Sequence, residues 1–325
     1  MESKEMRPQM KKFMLVLNCL MLAIGTVGGP LVTRLYYQHG GKSIWLSSWL
    51  QTGGWPLMIL PLLVAYFRRR GAQPQLFFIN FNTFCYAFVI VSTSSLILAT
   101  QLAFTAVVAF VLVKQKFTPY SINAIALLTF GAGALALHAS NERPAAESRA
   151  HYYLGWSLTF AASALLAIVL PLYELTYKKA KQTINYTLVL EIQLVSSFSA
   201  TVFCTVGMLV SGDYMGYATE LEDYQLGKVM YFMVSIFNAI IWQLFFLGVV
   251  GVIYYGSSLL SGVIIALALP ITEVGAVILF HEAFQAEKGV SLILSLWGFV
   301  SYFYGEAKQM KKQKKREKMN DTIVT

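Results

Sequence analysis

Positive charge is distributed in this chain in a way that few folds can accommodate. Between long apolar runs, the intervening stretches alternate between strongly basic and nearly neutral. The basic set is Lys4, Arg7, Lys11 and Lys12; Arg68-Arg69-Arg70; Lys114 and Lys116; Lys178, Lys179 and Lys181; and the tail Lys308, Lys311, Lys312, Lys314, Lys315, Arg316 and Lys318. It holds 19 of the 25 lysines and arginines. Basic loops stay on the cytosolic face of a membrane, so the pattern orients each apolar run and places both termini in the cytosol. The fold class it implies is an all-α integral membrane protein.

Composition excludes the soluble alternatives. Charged residues make up 13% of the 325 residues and apolar residues 57%, against about 25% charge in soluble domains. The net charge of +9 could suggest nucleic acid, but topogenic cytosolic charge accounts for it, so no nucleic-acid partner is expected. The lipid bilayer is the expected surrounding, and the basic tail is suited to anionic lipid. Cys19, Cys85 and Cys204 lie inside apolar runs, which argues against a disulfide framework. No removable signal sequence is read before the first span. The glycosylation-like triplets at Asn185 and Asn320 fall on the expected cytosolic side and are discounted.

A span needs roughly 20 apolar residues. The candidates are 13–36, 44–67, 76–91, 94–114, 120–139, 152–175, 187–211, 229–255, 257–280 and 289–304. Arg68–Arg70 and Lys114/Lys116 must share a face, so the chain between them crosses twice, with Ser92-Thr93-Ser94-Ser95 as the turn. That gives ten transmembrane helices with a short third one; a single crossing would give nine. The organisation reads as a cytosolic N-terminus (1–12), a first half (13–139), an outer connection (140–151), a second half (152–304) and a basic cytosolic tail (305–325). Under an offset of 167, residues 94–131 resemble 261–298, with Ser94/Ser261, Thr105/Thr272, Val107/Val274, Leu112/Leu279, Phe117/Phe284 and Gly131/Gly298 identical. The offset pairs the fourth span with the ninth and the fifth with the tenth. These run in opposite directions, so the halves form a 5+5 inverted repeat, an architecture that binds its cargo at the interface of the halves.

Polar side chains at membrane depth need a partner or a task. Glu273, beside Pro270, is the deepest carboxylate. Desolvation there favours its neutral form, which suits uptake and release of a proton. Glu191 lies one turn inside the cytosolic end of span seven and is the second proton-coupling candidate. Glu174 is expected to pair with Lys178 four residues on. Amides and aromatic rings form the other group. Asn238 and Trp242 share a helix face, with Gln243 adjacent; Gln51 and Trp55 repeat the spacing, and Gln101 sits mid-span. Amides supply paired donor and acceptor edges and rings supply faces, which is what a flat heteroaromatic ligand requires. Trp45 and Trp49 are read as interface-belt residues. Gly25-Thr26-Val27-Gly28-Gly29-Pro30 is suited to close helix approach or a hinge. No phosphate loop, zinc spacing, nucleophile elbow or triad signature is present, so no enzyme activity and no cofactor are expected. The four histidines are scattered and form no metal cluster.

Gly28-Gly29-Pro30-Leu31, His39-Gly40-Gly41-Lys42, Trp45-Leu46-Ser47-Ser48-Trp49-Leu50-Gln51-Thr52, Ala99-Thr100-Gln101-Leu102-Ala103-Phe104-Thr105, Leu172-Tyr173-Glu174-Leu175-Thr176-Tyr177-Lys178-Lys179 and Leu296-Trp297-Gly298-Phe299 together resemble the plant purine permease family of the drug/metabolite transporter superfamily. The resemblance covers nearly the whole chain. It implies ten helices and import of adenine, cytokinins or related nitrogen heterocycles across the plasma membrane, with protons as the driving ion. One departure stands out. Roughly twenty residues that members carry before the serine-threonine turn are missing, including an acidic pair, and only Cys85-Tyr86-Ala87-Phe88 resembles that region. The expected site is therefore Gln51, Gln101, Asn238 and Gln243 for the ligand edge, with Trp55, Trp242 and Tyr86 stacking on it. The alternative is a transporter-derived receptor or an inactive paralogue, motivated by the shortened third helix.

Overall fold

The computed structural model describes residues 8–69, 118–141, 168–178, 186–281 and 286–324. All regular structure among them is helical. The elements are α1 (Pro8–Gln38), α2 (Ile44–Thr52), α3 (Ile59–Arg69), α4 (Pro119–Asn141), α5 (Tyr186–Ser211), α6 (Tyr217–Asp223), α7 (Gly227–Tyr255), α8 (Ser258–Phe280) and α9 (Ala286–Val324). A further helical stretch covers 168–178. Five stretches are long and apolar enough to cross a bilayer: Gln9–Gln38, Ile44–Phe67, Tyr186–Ser211, Gly227–Tyr255 and Ser258–Phe280. The third and fourth spans and part of the sixth lie outside the described residues.

Burial is inverted relative to a soluble protein. Val210 is 84% and Val229 80% exposed, whereas Asn18, Glu191, Gln193, Asn238, Gln243 and Ser261 are buried. Polar groups inside and large apolar side chains outside are what a lipid solvent selects.

The central seam joins α1 to α7 in antiparallel contact. Its dimension is set by missing side chains. A Cβ at Gly25 would fall 2.4 Å from the Phe245 backbone nitrogen, and one at Gly248 would fall 2.4 Å from that of Leu22. Gly251 lies against the Asn18 side chain in the same way, and Gly28 and Gly29 receive Ile241 and Trp242. Small residues let transmembrane backbones approach closely, and dispersion does the rest. α8 runs parallel to α1, with Gly275 against Leu31 and the Arg34 guanidinium 4.9 Å from the centre of the Phe280 ring. α2 runs antiparallel to α5. There Trp45 lies on Gly207, and the Trp49 indole donates to the Thr205 hydroxyl at 3.1 Å. Both tryptophans are thus packed against a neighbouring helix.

α4 and α9 form an antiparallel pair with a local two-fold. Gly131 packs on Ser291, Leu294 and Ser295, while Gly298 packs on Ala124, Leu127 and Leu128. The offset of 167 converts each contact set into the other. At one end of the bundle α1 begins, 168–178 ends, α5 begins and α9 departs; this is the basic end. There Glu174 receives Lys178 at 2.9 Å, as expected, and also accepts the Ser258 backbone N–H at 2.8 Å and hydroxyl at 2.5 Å, closing the first turn of α8. α9, 39 residues long, continues unbroken into the tail, so the helix does not stop where the apolar run does.

Span two, expected as one element over 44–67, is broken. α2 stops at Thr52, a 3-10 turn covers Trp55–Met58, and α3 resumes at Ile59. Pro56 has no N–H for the Thr52 carbonyl and Pro61 has none for that of Leu57. Gly54 meanwhile lets the backbone press against the Ala239 carbonyl and the Gln243 Cβ.

The seam yields a test. Gly25→Ala should lower the melting temperature of the detergent-solubilised protein markedly, since overpacking costs about 1–3 kcal/mol. Gly216→Ala, whose added carbon meets nothing, should leave it unchanged. Equal melting temperatures for the two variants would show that the seam is loose.

Candidate functional site

α7 carries the site, because its two polar faces meet different neighbours. Asn238 and Trp242 turn toward α1. There the Thr33 hydroxyl donates to Asn238 Oδ1 at 3.0 Å and accepts from the Trp242 indole N–H at 3.2 Å. Thr33 therefore links the two side chains that helical spacing placed together, and the Trp242 ring lies on Gly29. Trp242 also stacks edge-on to Phe245, with ring centres 5.4 Å apart. Thr33 escaped sequence reasoning. Span one is apolar around its circumference, and its facing residue lies more than two hundred positions away.

Gln243 occupies the other face, against Gly54 at the break in span two. It is 2% exposed, and neither its amide nitrogen nor its amide oxygen has a hydrogen-bond partner. A buried amide left without partners forfeits the full cost of its desolvation. Both a donor and an acceptor thus point into the protein at an interrupted helix, where non-helical backbone is tolerated only beside protein or a cavity.

Trp55 lies in the 3-10 turn and meets Phe198 of α5 edge-on, ring centres 5.3 Å apart. Gln51, one turn earlier, is partly buried. Next to them α5 presents a polar stripe at four-residue spacing. Gln193 donates to the Ser197 hydroxyl at 2.8 Å, and the Thr201 and Thr52 hydroxyls are 3.2 Å apart. The first lies within α5, and the second ties α5 to α2 as interhelical bonds in membranes do. Tyr86 and Gln101 lie outside the described residues.

The two acidic candidates differ. Glu191 is fully buried on α5, between Leu190 and Ile192. Glu273 on α8 is partly exposed and sits 3.2 Å from the Lys288 ammonium of α9. Lys288, in the first turn of α9, is only 8% exposed. Glu273 thus belongs to an ion pair spanning two helices, and the buried cation is the partner that sequence reasoning missed. Among the described residues no group of histidine, cysteine, aspartate or glutamate is arranged to hold a metal.

At the end of the bundle opposite the basic one, the chain between α5 and α7 folds into a 3-10 turn and α6. Glu220 of α6 is 5% exposed and inserts between α1, α2 and α7. Burial, and then the Glu220 charge, push the neighbouring Tyr224 phenol above its ordinary value.

A family model described as purine nucleobase transmembrane transport matches residues 13–90 and 77–312. Purine permease 3 of Arabidopsis thaliana is 47% identical, the alignment covering 92% of each chain. Purine permease 2 of the same plant is 46% identical over 95% of this chain and 96% of its own, and probable purine permease 5 is 33% identical over 94% and 89%. The alignment with purine permease 3 spans 323 positions, more than 92% of a 325-residue chain can fill, so that relative has residues which this chain lacks. The family match divides at 77–90, where the sequence places the shortened third span. Lengthwise similarity of this degree, on a helical protein with five or more apolar spans, leaves one assignment: the chain is a multi-pass membrane protein, a transporter and not an enzyme, and it belongs to the purine permease family.

Proposed function

We propose that the protein is a proton-coupled importer of purine bases and related nitrogen heterocycles of the adenine or cytokinin type, built from ten helices as two inverted halves. The basic end faces the cytosol, and the plasma membrane is the site of action. The observation that carries this reading is Gln243, a buried amide with a free donor and a free acceptor beside a broken helix. A purine edge offers a ring nitrogen acceptor next to an N–H donor, which matches a primary amide in both places. Asn238 and Trp242, held by Thr33, supply a second amide and an aromatic face on the same helix. Gln51, Trp55, Tyr86 and Gln101 complete the proposed ligand set from the facing half.

Glu273 is the proposed proton site, with Lys288 as its counter-charge and Glu191 as the second candidate. A carboxylate that alternates between an ammonium and a proton changes the net charge of the site by one. It thereby ties cargo binding to protonation. Reciprocal contacts of Gly131 and Gly298 support the inverted repeat, and the identity to purine permeases 2 and 3 supports the substrate class.

Two measurements test this. Uptake of labelled adenine by cells lacking their own carrier should show a KM raised about tenfold or more in Gln243→Leu, the effect of losing a paired hydrogen-bond edge. An unchanged KM removes Gln243 from the site. Glu273→Gln should reduce uptake and abolish its dependence on external pH. Because that variant takes the Glu273 charge away from the buried Lys288 ammonium, Glu273→Gln/Lys288→Gln should regain expression without regaining the pH dependence. A double variant with pH-dependent uptake would remove the proton role. Adenine binding by reconstituted protein without any uptake would identify the receptor alternative that the shortened third span favours.

A further inference from the structure

The α1–α7 seam changes character along its length. From the basic end to Trp242 it is close-packed, backbone to backbone at Gly25 and Gly248 and backbone to side chain at Gly28, Gly29 and Gly251. Beyond that point it is hydrogen-bonded, first through Thr33 and Asn238, then through Tyr36 and Tyr231. Pro30 separates the two zones, and it deprives the Thr26 carbonyl of its helical donor.

Glu220 closes the hydrogen-bonded zone. One carboxylate oxygen accepts the Tyr36 hydroxyl of α1 and, at 3.1 Å, the Tyr231 hydroxyl of α7. The other accepts the backbone N–H groups of Lys42 and Ser43, each at 3.2 Å, at the N-terminus of α2. Asp213 adds the Ser43 hydroxyl at 3.0 Å, and the Gln225 N–H bonds to the His39 carbonyl at 3.0 Å. The connection between α5 and α7 is thus fastened over the α1–α2 turn, with the buried Glu220 carboxylate at its centre. Gly41 passes so close over the Tyr36 ring that no side chain fits there.

We propose that Glu220 is a positioning residue of the transport cycle, a latch that holds the far third of α1 against α7. Its release lets residues 31–38 swing about Gly28-Gly29-Pro30 and exposes Thr33, Asn238 and Trp242 to the side opposite the basic end. The seam opens there and not elsewhere for a physical reason. Water can replace hydrogen bonds to a carboxylate and two phenols at a solvated mouth, but it cannot replace close-packed backbone contacts inside the membrane. Proline and paired glycines supply the bend. The inference rests on the transporter reading for its purpose, but its readout needs no substrate, so the two fail separately.

Val234, buried beneath the latch among Tyr36, Tyr224 and Tyr231, is the reporter. In purified protein whose Cys19, Cys85 and Cys204 are replaced by alanine, Val234→Cys should react slowly with a charged methanethiosulfonate. Glu220→Ala should accelerate that reaction at least about fivefold, as expected of a shifted two-state equilibrium. Glu220→Gln, which keeps one acceptor, should fall between, and Tyr36→Phe added to Glu220→Ala should contribute nothing more. Val263→Cys, fully buried in α8, should stay slow in every background. Acceleration below about twofold in Glu220→Ala overturns the latch, because a shifted equilibrium must appear in the rate. Equal acceleration at Val263→Cys overturns it too, since the substitution then loosens the whole bundle.

Discussion

The rest of the molecule depends on backbone-close contact between α1 and α7. Lipid gives helices no hydrophobic incentive to associate, so the seam must be held by surface complementarity over many atoms. Gly25 and Gly248 supply it by bringing opposing backbones together where any side chain would collide. The same approach sets the distance at which Thr33 can bridge Asn238 and Trp242. Geometry at the proposed binding face is therefore a consequence of helix packing several turns away.

A second constraint comes from span two. Two prolines and Gly54 interrupt the helix where α7 passes, and the interruption puts irregular backbone beside Gln243. In a bilayer such backbone is costly unless protein or a wet cavity surrounds it. Break and unpartnered amide occupy the same place, which is why the ligand is assigned there and not to the stripe on α5. Gln193, Ser197, Thr201 and Thr205 in that stripe already have partners within the protein.

What the sequence revealed and what it withheld divide along physical lines. Charge between apolar runs is a one-dimensional signal. It predicted the alternation that the described helices follow, and the Glu174–Lys178 pair at one-turn spacing. Identities at a fixed offset included Gly131 and Gly298, whose contact sets the same offset interchanges. Asn238 and Trp242 were legible because four residues bring two side chains onto one helix face. Thr33, Lys288 and Glu220 were not, because each acquires its meaning from a residue on a distant element. Apolar composition around the full circumference of a span erases the periodicity that would have shown which face carries a partner. Glu220 was hidden further by its position in a loop, where an acidic residue is ordinarily solvated.

The carboxylates sort by depth, and the sorting constrains the mechanism. Glu174 at the basic end and Glu220 at the far end each cap the first turn of a transmembrane helix, α8 and α2 respectively, and each accepts two or more donors from the protein. A carboxylate that gathers donors from separate elements ties those elements together, which suits it to fastening. Glu273 lies several residues inside α8 and faces the Lys288 ammonium on a different helix. Fastening at the two faces and the coupling proposed for Glu273 are then separate tasks for separate side chains, each made possible by where its helix places it.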